Sequence, residues 1–135
     1  MIIMFDTNIL ISAGLFPNSH LSRAVIRIAE EHQIVLSSRI VDELWLVLKR
    51  KFPDRKTVLE TFLKRLSFEM AYTPTEIDSD IFPKVRDEKD YPILASAIIA
   101  DVDVFITGDK DFAGLDLERP EVMTLAEFEQ IYKIT

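Results

Sequence analysis

Three short apolar runs constrain the fold of this chain more than any other feature of its sequence. The runs cover residues 2–5, 34–36 and 102–107, the last of which includes one charged residue, Asp103, and their length suits strands that are buried on both faces. Segments with helical spacing of apolar residues lie between them, as at 21–32 and 39–51. Strands that alternate with helices are typical of a parallel sheet with right-handed crossovers. The sequence therefore predicts a three-layer α/β/α fold with a mostly parallel sheet of four or five strands.

The rest of the chain completes this alternation. Residues 55–68 and 90–101 have helical spacing, and Val122-Met123 is typical of a last short strand before a helix that ends near Tyr132. Residues 69–89 contain two prolines and many acids. We interpret them mostly as a connection with a short helix near 75–83.

Length and composition indicate one domain over residues 1–135. With 48% apolar residues, the chain can bury a core without disulfides, and it has no cysteine to form them. The absence of cysteine fits a reducing cytoplasm. No apolar run reaches the roughly 18 residues of a membrane span, and the N-terminus lacks the basic segment of a signal peptide. We therefore expect a cytoplasmic protein without a membrane partner.

The charge is unevenly distributed. The chain has a net charge of -7, yet residues 39–65 carry eight basic and four acidic side chains. The remainder carries eight basic and nineteen acidic side chains. A basic segment against an acidic remainder suits an enzyme that contacts phosphates on one side and holds a metal on the other. A solvated helical surface is the alternative, since charged runs on helices are common.

Two acids follow apolar runs directly. Asp6 comes after residues 2–5, and Asp109 comes after Thr107-Gly108 at the end of the run 102–107. The carboxyl edge of a parallel sheet is where active sites form, and carboxylates that converge there raise each other's pKa. Such a group favours a divalent cation, and oxygen ligands suit Mg²⁺ or Mn²⁺. The structural alternatives are a helix cap for Asp6 and an Asx turn for Asp109.

Two further acids lie on predicted helices. Glu43 falls on the apolar stripe marked by Ile40, Leu44 and Val47, where a carboxylate needs a partner. That partner is either a metal ion or a basic side chain in a buried salt bridge. Asp90 opens the helix 90–101, where it could serve as a ligand or as a cap. Asp87, three residues earlier, is an alternative ligand.

In this order the four acidic motifs resemble those of the PIN-domain family of nucleases. The chain looks closest to the small bacterial and archaeal branch assigned as toxins of toxin–antitoxin systems, and the resemblance runs from residue 2 to Tyr132. The segments that carry it are Phe5–Leu10, Leu36–Leu48, Arg86–Asp90, Leu94–Ala97 and Phe105–Phe112. One departure is Tyr91, because that branch often has a second Asp directly after the position of Asp90.

The resemblance implies cleavage of RNA phosphodiester bonds with Mg²⁺ or Mn²⁺. It places the catalytic, metal-binding quartet on Asp6, Glu43, Asp90 and Asp109. It further implies a protein antitoxin as partner and commonly a homodimer. Side chains expected around the quartet are Asn8, Thr107, Asp87 and Asp111. From their position on the helix of Glu43, we expect Lys49, Arg50 and Lys51 to contact RNA phosphates.

Two other enzyme classes fit the sequence poorly. A phosphatase with an aspartyl nucleophile needs a second Asp two positions after Asp6, where this chain has Asn8. A phosphoacceptor receiver domain needs adjacent acids after its first strand. Outside catalysis, the alternative is a PIN-like module that binds RNA or a protein without cutting it.

Overall fold

The protein consists of a five-stranded sheet and its flanking helices, in a computed structural model that describes residues 1–73, 91–109, 112, 117 and 119–132. The strands are β1 Ile2–Phe5, β2 Gln33–Ser37, β3 Glu69–Ala71, β4 Val104–Ile106 and β5 Glu121–Met123. The helices are α1 Thr7–Leu15, α2 His20–Glu31, α3 Ser38–Lys51, α4 Lys56–Leu66, α5 Tyr91–Ile99 and α6 Leu125–Tyr132, with a 3₁₀ turn at Pro53–Arg55. The predicted α/β class is confirmed.

The sheet has the strand order β3-β2-β1-β4-β5, and its four strand pairings are all parallel. In the centre, Ile3 pairs with Ile34 of β2 on one side and with Val104 of β4 on the other. The chain moves outward from β1 through β2 to β3 and then returns to β4 on the other side. The order of strands therefore reverses between β1 and β4, which is where ligands bind in open parallel sheets.

The reversal of strand order also places the helices on both faces of the sheet. Helix α1 packs against α2, α3 and α4, all of which follow strands on the β1-to-β3 side. Helix α5 lies against β2 and belongs to the connection that leads from β3 back across the sheet to β4. Because parallel connections are right-handed, α5 covers the other face of the sheet. The result is the predicted three-layer arrangement.

The apolar runs form strands because both faces of the central strands are covered. Ile3, Met4 and Phe5 of β1 are completely buried, as are Leu36 of β2 and Phe105 of β4. Helix α3 begins where the sequence predicts, since the Ser37 hydroxyl accepts a hydrogen bond from the Ile40 amide at 3.1 Å. That cap starts α3 directly at the carboxyl end of β2.

The sequence interpretation was wrong about residues 69–71, which form strand β3 rather than a connection. This strand lies at the edge of the sheet, pairs with β2 and exposes Glu69 and Met70. It is short and carries no apolar run, so the signal that marks a buried strand is missing. The short helix predicted near 75–83 lies outside the described residues. Within the described ranges, none of the helices has the length and apolar character needed to cross a membrane.

Candidate active site

Two neighbouring strands bring Asp6 and Thr107 together at the carboxyl edge of the sheet. Phe5 of β1 pairs with Ile106 of β4, and the Asp6 amide donates to the Ile106 carbonyl at 3.0 Å. The next residues therefore meet, and the Thr107 hydroxyl donates to Asp6 Oδ2 at 2.7 Å. Thr107 Oγ1 also accepts from the Asp109 amide at 3.0 Å, which holds the turn that carries Asp109.

A second hydroxyl joins Glu43 to the same edge. Thr7, the first residue of α1, donates its amide to Asp6 Oδ1 at 2.7 Å and its hydroxyl to Glu43 Oε2 at 2.8 Å. One continuous path of hydrogen bonds thus runs from Glu43 through Thr7, Asp6 and Thr107 to Asp109. Asp6 and Glu43 join this path through their carboxylates, and Asp109 joins it through its backbone amide.

Thr7 is a residue that the sequence interpretation missed. It is buried, and its hydroxyl links two acidic positions that come from different elements. Its place directly after Asp6 is the only signal in the sequence, and that signal equally suits an ordinary helix start.

The carboxylate of Asp6 lies in a strongly perturbed environment. Its residue is only 6% exposed, and this burial is the main reason that its pKa is raised above the ordinary value of 3.8. The hydrogen bonds from Thr107 and Thr7 lower the pKa, whereas the charges of Asp109 and Glu43 raise it further. The site is therefore one in which added positive charge stabilises the ionised acid.

Glu43 lies at the edge of the buried stripe of α3, not within it as the sequence interpretation placed it. The buried positions of this helix are Ile40, Val41, Leu44 and Leu48. The buried stripe therefore includes Val41 in place of the predicted Val47, and its centre is displaced around the helix from the predicted one. The side chain of Glu43 is 36% exposed, and its Oε1 lies 3.5 Å from Arg39 Nε. Glu43 therefore forms a half-exposed ion pair with Arg39, not the buried salt bridge that the sequence offered as an alternative.

An open recess adjoins Asp109. Its volume is about 610 Å³, within the usual range for ligand sites. Asn8, exposed in the first turn of α1, faces the same recess as Asp109. The other lining residues are Ile9, Ser12, Leu21 and Gly108.

The sequence matches the family model described as PIN domain over residues 2–111. The chain belongs to the PIN-domain family. The members of this family are nucleases. None of the curated proteins compared with this PIN domain matches it significantly.

The fold has a solved counterpart. The crystal structure of VapBC2 from Rickettsia felis bound to a DNA fragment from their promoter contains a similar chain. The similarity covers 91% of this PIN domain and 97% of that chain, with a TM-score of 0.65 and 19% sequence identity. At this identity, the similarity establishes the shared fold.

PIN-domain nucleases generally use divalent metals, and the donor set of this PIN domain suits one. Asp6, Glu43 and Asp109 offer carboxylate oxygens, which hard cations such as Mg²⁺ and Mn²⁺ prefer. In the part of the chain that the structure describes, no three acidic or histidine side chains are close enough to enclose an ion by themselves. Asp90 directly precedes α5 in the sequence, but it lies outside the described residues, as do Asp87 and Asp111.

The three predicted phosphate contacts occupy the last turn of α3, where Lys49, Arg50 and Lys51 are all exposed. They point in different directions around the helix. Lys49 lines a groove of about 450 Å³ together with Trp45 and Pro53. Arg50 follows Glu43 by seven residues, so it projects from nearly the same side of the helix, about 20° away.

Proposed function

We propose that this PIN domain is a divalent-metal-dependent endoribonuclease that uses Mg²⁺ or Mn²⁺. The observation that carries the proposal is the hydrogen-bond path that links the carboxylates of Asp6 and Glu43 and ends at the backbone amide of Asp109, where the strand order reverses. A carboxylate cluster alone repels an anionic phosphodiester, and a bound cation reverses that local charge. The raised pKa of Asp6 supports the same conclusion, because burial beside two other acids favours an added cation.

Each acidic residue of the site has a proposed role that follows from its position. Asp6 and Asp109 bind the metal, Asp90 completes the ligand set, and Glu43 either joins it or orients the attacking water. A bound metal supplies an activated water and stabilises negative charge on the phosphoryl oxygens. The hydroxyls of Thr7 and Thr107 hold Glu43 and Asp6 in place through bonds of 2.8 and 2.7 Å. The chain has no cysteine, and no nucleophile motif points to a covalent intermediate.

Four residues are proposed to act around this set. Asn8 and Thr107 orient the polar groups of the site, and Asp87 and Asp111 lie near the metal ligands without replacing them. Asn8 faces the recess beside Asp109, which supports a contact with the substrate there.

We further propose that the protein is the toxin of a type II toxin–antitoxin pair in the cytoplasm. The fold that it shares with a chain of the Rickettsia felis complex supports this role. An antitoxin that covers the cleft and a second copy of the chain are its proposed protein partners. Apolar side chains available on the surface include Phe16, Leu46 and Ile99, which are between 54% and 59% exposed.

The activity is tested with purified chain and labelled single-stranded RNA. We expect cleavage with Mn²⁺, no cleavage in excess chelator, and no cleavage by Asp6→Asn. Asp54→Asn is a matched control, because Asp54 is an exposed acid in the 3₁₀ turn after α3. It should cut RNA like the wild type. Binding of RNA without cutting, in the presence of Mn²⁺, would instead favour the non-catalytic module.

A further inference from the structure

Both carboxylate oxygens of Glu43 are engaged by side chains of this chain. Oε2 accepts from the Thr7 hydroxyl at 2.8 Å, and Oε1 lies 3.5 Å from Arg39 Nε. Arg39 stands one helical turn before Glu43 on α3, so a positive charge lies beside the carboxylates of the proposed nuclease site. The sequence places this arginine only at the start of the basic segment 39–65 and indicates no link between it and Glu43.

The backbone of Arg39 is anchored while its side chain can move. The Arg39 amide donates to Thr73 Oγ1 at 3.1 Å, and the Thr73 amide donates to Ser38 Oγ at 2.8 Å. These bonds tie the start of α3 to the residues that follow β3. The Arg39 side chain is 44% exposed, and exposed ion pairs between residues four apart are weak. The guanidinium can therefore leave Glu43 at little cost when a better anion arrives.

We propose that Arg39 binds a phosphate of the RNA substrate and, when RNA is absent, serves as the counter-ion of Glu43. The proposal rests on the nuclease function proposed above. A guanidinium matches the geometry of a phosphate and binds it with two parallel hydrogen bonds. Arg39 and Glu43 are separated by about 6 Å along the helix axis, so one phosphate can contact Arg39 while its neighbour lies at the carboxylates.

The two roles of Arg39 have opposite electrostatic consequences. Its positive charge attracts the anionic substrate, but it repels a divalent cation near Glu43 and competes for the same carboxylate. Removing the charge should therefore weaken RNA binding and strengthen metal binding. A residue that merely supports the fold would weaken both or change neither.

The chain provides a matched control for this ion pair. Arg27 and Glu31 on α2 are also four residues apart, with Nε and Oε1 separated by 3.8 Å and both side chains 49% exposed. This pair lies at the end of α2 that leads to the amino end of β2, which is the opposite edge of the sheet from the carboxylates. Arg27→Gln removes the same charge away from Asp6, Glu43 and Asp109.

The experiment compares Arg39→Gln, Arg39→Lys and Arg27→Gln. Mn²⁺ affinity is measured by calorimetry without RNA, and RNA affinity is measured in an Asp6→Asn background with chelator so that no cleavage occurs. We expect Arg39→Gln to bind Mn²⁺ about fivefold more tightly, as the loss of one nearby positive charge predicts. Its RNA affinity should fall, and the slope of log affinity against log salt should decrease by about one. Arg39→Lys should keep the salt slope, and Arg27→Gln should match the parent in both measurements.

Circular dichroism of each variant establishes that the fold is retained. If the wild type binds Mn²⁺ but Arg39→Gln leaves both affinities unchanged, the role of Arg39 is wrong and the proposed function stands. Weaker Mn²⁺ binding by Arg39→Gln would equally overturn it. If the wild type binds no Mn²⁺, the proposed function fails and this inference fails with it.

Discussion

At the scale of single residues, Asp6 both caps a helix and supplies a carboxylate to the cluster. The sequence allowed each interpretation, and the structure shows that the cap does not exclude the other. Asp6 Oδ1 accepts from the Thr7 amide while Oδ2 accepts from Thr107. Each oxygen has a further lone pair for another ligand.

Asp6 should make the metal-free protein less stable as the pH rises. Its pKa is raised by burial and by Asp109 and Glu43, so the folded state holds this proton more tightly than the unfolded chain does. The stability from neutral Asp6 is fully present below the ordinary pKa of 3.8 and is lost as pH rises through the raised value. Asp6→Asn cannot ionise. The Tm of Asp6→Asn minus the Tm of the wild type, both measured in chelator, should therefore increase as the pH rises from about 4 to about 7. A decrease in this difference would show that ionised Asp6 does not destabilise the fold.

Thr7 should be needed for activity more than for stability. Thr7→Val keeps the shape of the side chain but leaves Glu43 Oε2 without its donor at 2.8 Å. Loss of an outer partner of a metal-site residue typically costs about 10- to 100-fold in activity or metal affinity. The stability change should be about 1 kcal/mol, since Glu43 remains accessible to water. Thr7→Ser should restore cleavage, and equal activity of the Val and Ser variants would show that the hydroxyl is not used.

The sequence predicted the positions of Asp6 and Asp109 better than the side chains that contact the acids. Asp6 and Asp109 follow strand-like runs, so their position at the sheet edge follows from the pattern. The spacing of four residues that lets Arg39 contact Glu43 on α3 is visible in the sequence. Thr7 contacts Glu43 from a different helix, so this contact depends on how α1 and α3 meet. No local pattern encodes that geometry.

At the scale of elements, the predictable parts of the fold are those with a clear hydrophobic period. β1, β2 and β4 were found as apolar runs, and α3 was found from its helical spacing and its apolar stripe. Helix α1 was not predicted, because seven of its nine residues are buried and only Asn8 and Ser12 face outward. A helix covered on most sides lacks the one-sided pattern that identifies a helix.

Gly14 allows α1 and α4 to pack closely. A Cβ atom added at Gly14 would lie 2.8 Å from Leu59 Cδ1 and 3.1 Å from Phe62 Cδ2. Overpacking of this kind costs about 1–3 kcal/mol, and the better helix propensity of alanine returns at most about 1 kcal/mol. Gly14→Ala should therefore lower the free energy of unfolding by about 1 kcal/mol, and Gly14→Val should lower it further. Denaturant titration measures both, and a stabilised Ala variant would mean that the two helices are less closely packed.

The basic end of α3 should contribute unequally to RNA binding. Replacing Lys49, Arg50 and Lys51 together by Gln should weaken RNA binding and flatten its salt dependence, while Mn²⁺ affinity stays nearly unchanged. Among single variants, Arg50→Gln should have a larger effect than Lys49→Gln, since Arg50 projects from the side of Glu43 and Lys49 lines a separate groove. Fluorescence anisotropy over a range of salt concentrations measures this order. Equal or reversed effects would place the RNA on the other side of the helix.

At the scale of the whole molecule, the sheet topology explains how distant acids meet. Residues from both ends of the chain form one sheet, from Ile2 in β1 to Met123 in β5. The basic segment 39–65 forms α3, the 3₁₀ turn and α4, so the positive charge lies on consecutive elements that begin at the site. Alternation of strands and helices was sufficient to predict this architecture. The short edge strand β3 was not predictable, because half-exposed strands carry a weak pattern.

The most direct test of the proposed metal site is to locate Mn²⁺ by anomalous scattering in crystals of the protein soaked with that ion. We predict a peak at the carboxyl edge between β1 and β4, with an oxygen of Asp6 about 2 Å from the ion and Asp109 in the same ligand group. Crystals of Asp6→Asn, soaked in the same way, should lose the peak or show it much weakened. A strong peak that lies away from Asp6, or one that persists unchanged in Asp6→Asn, would contradict the central claim.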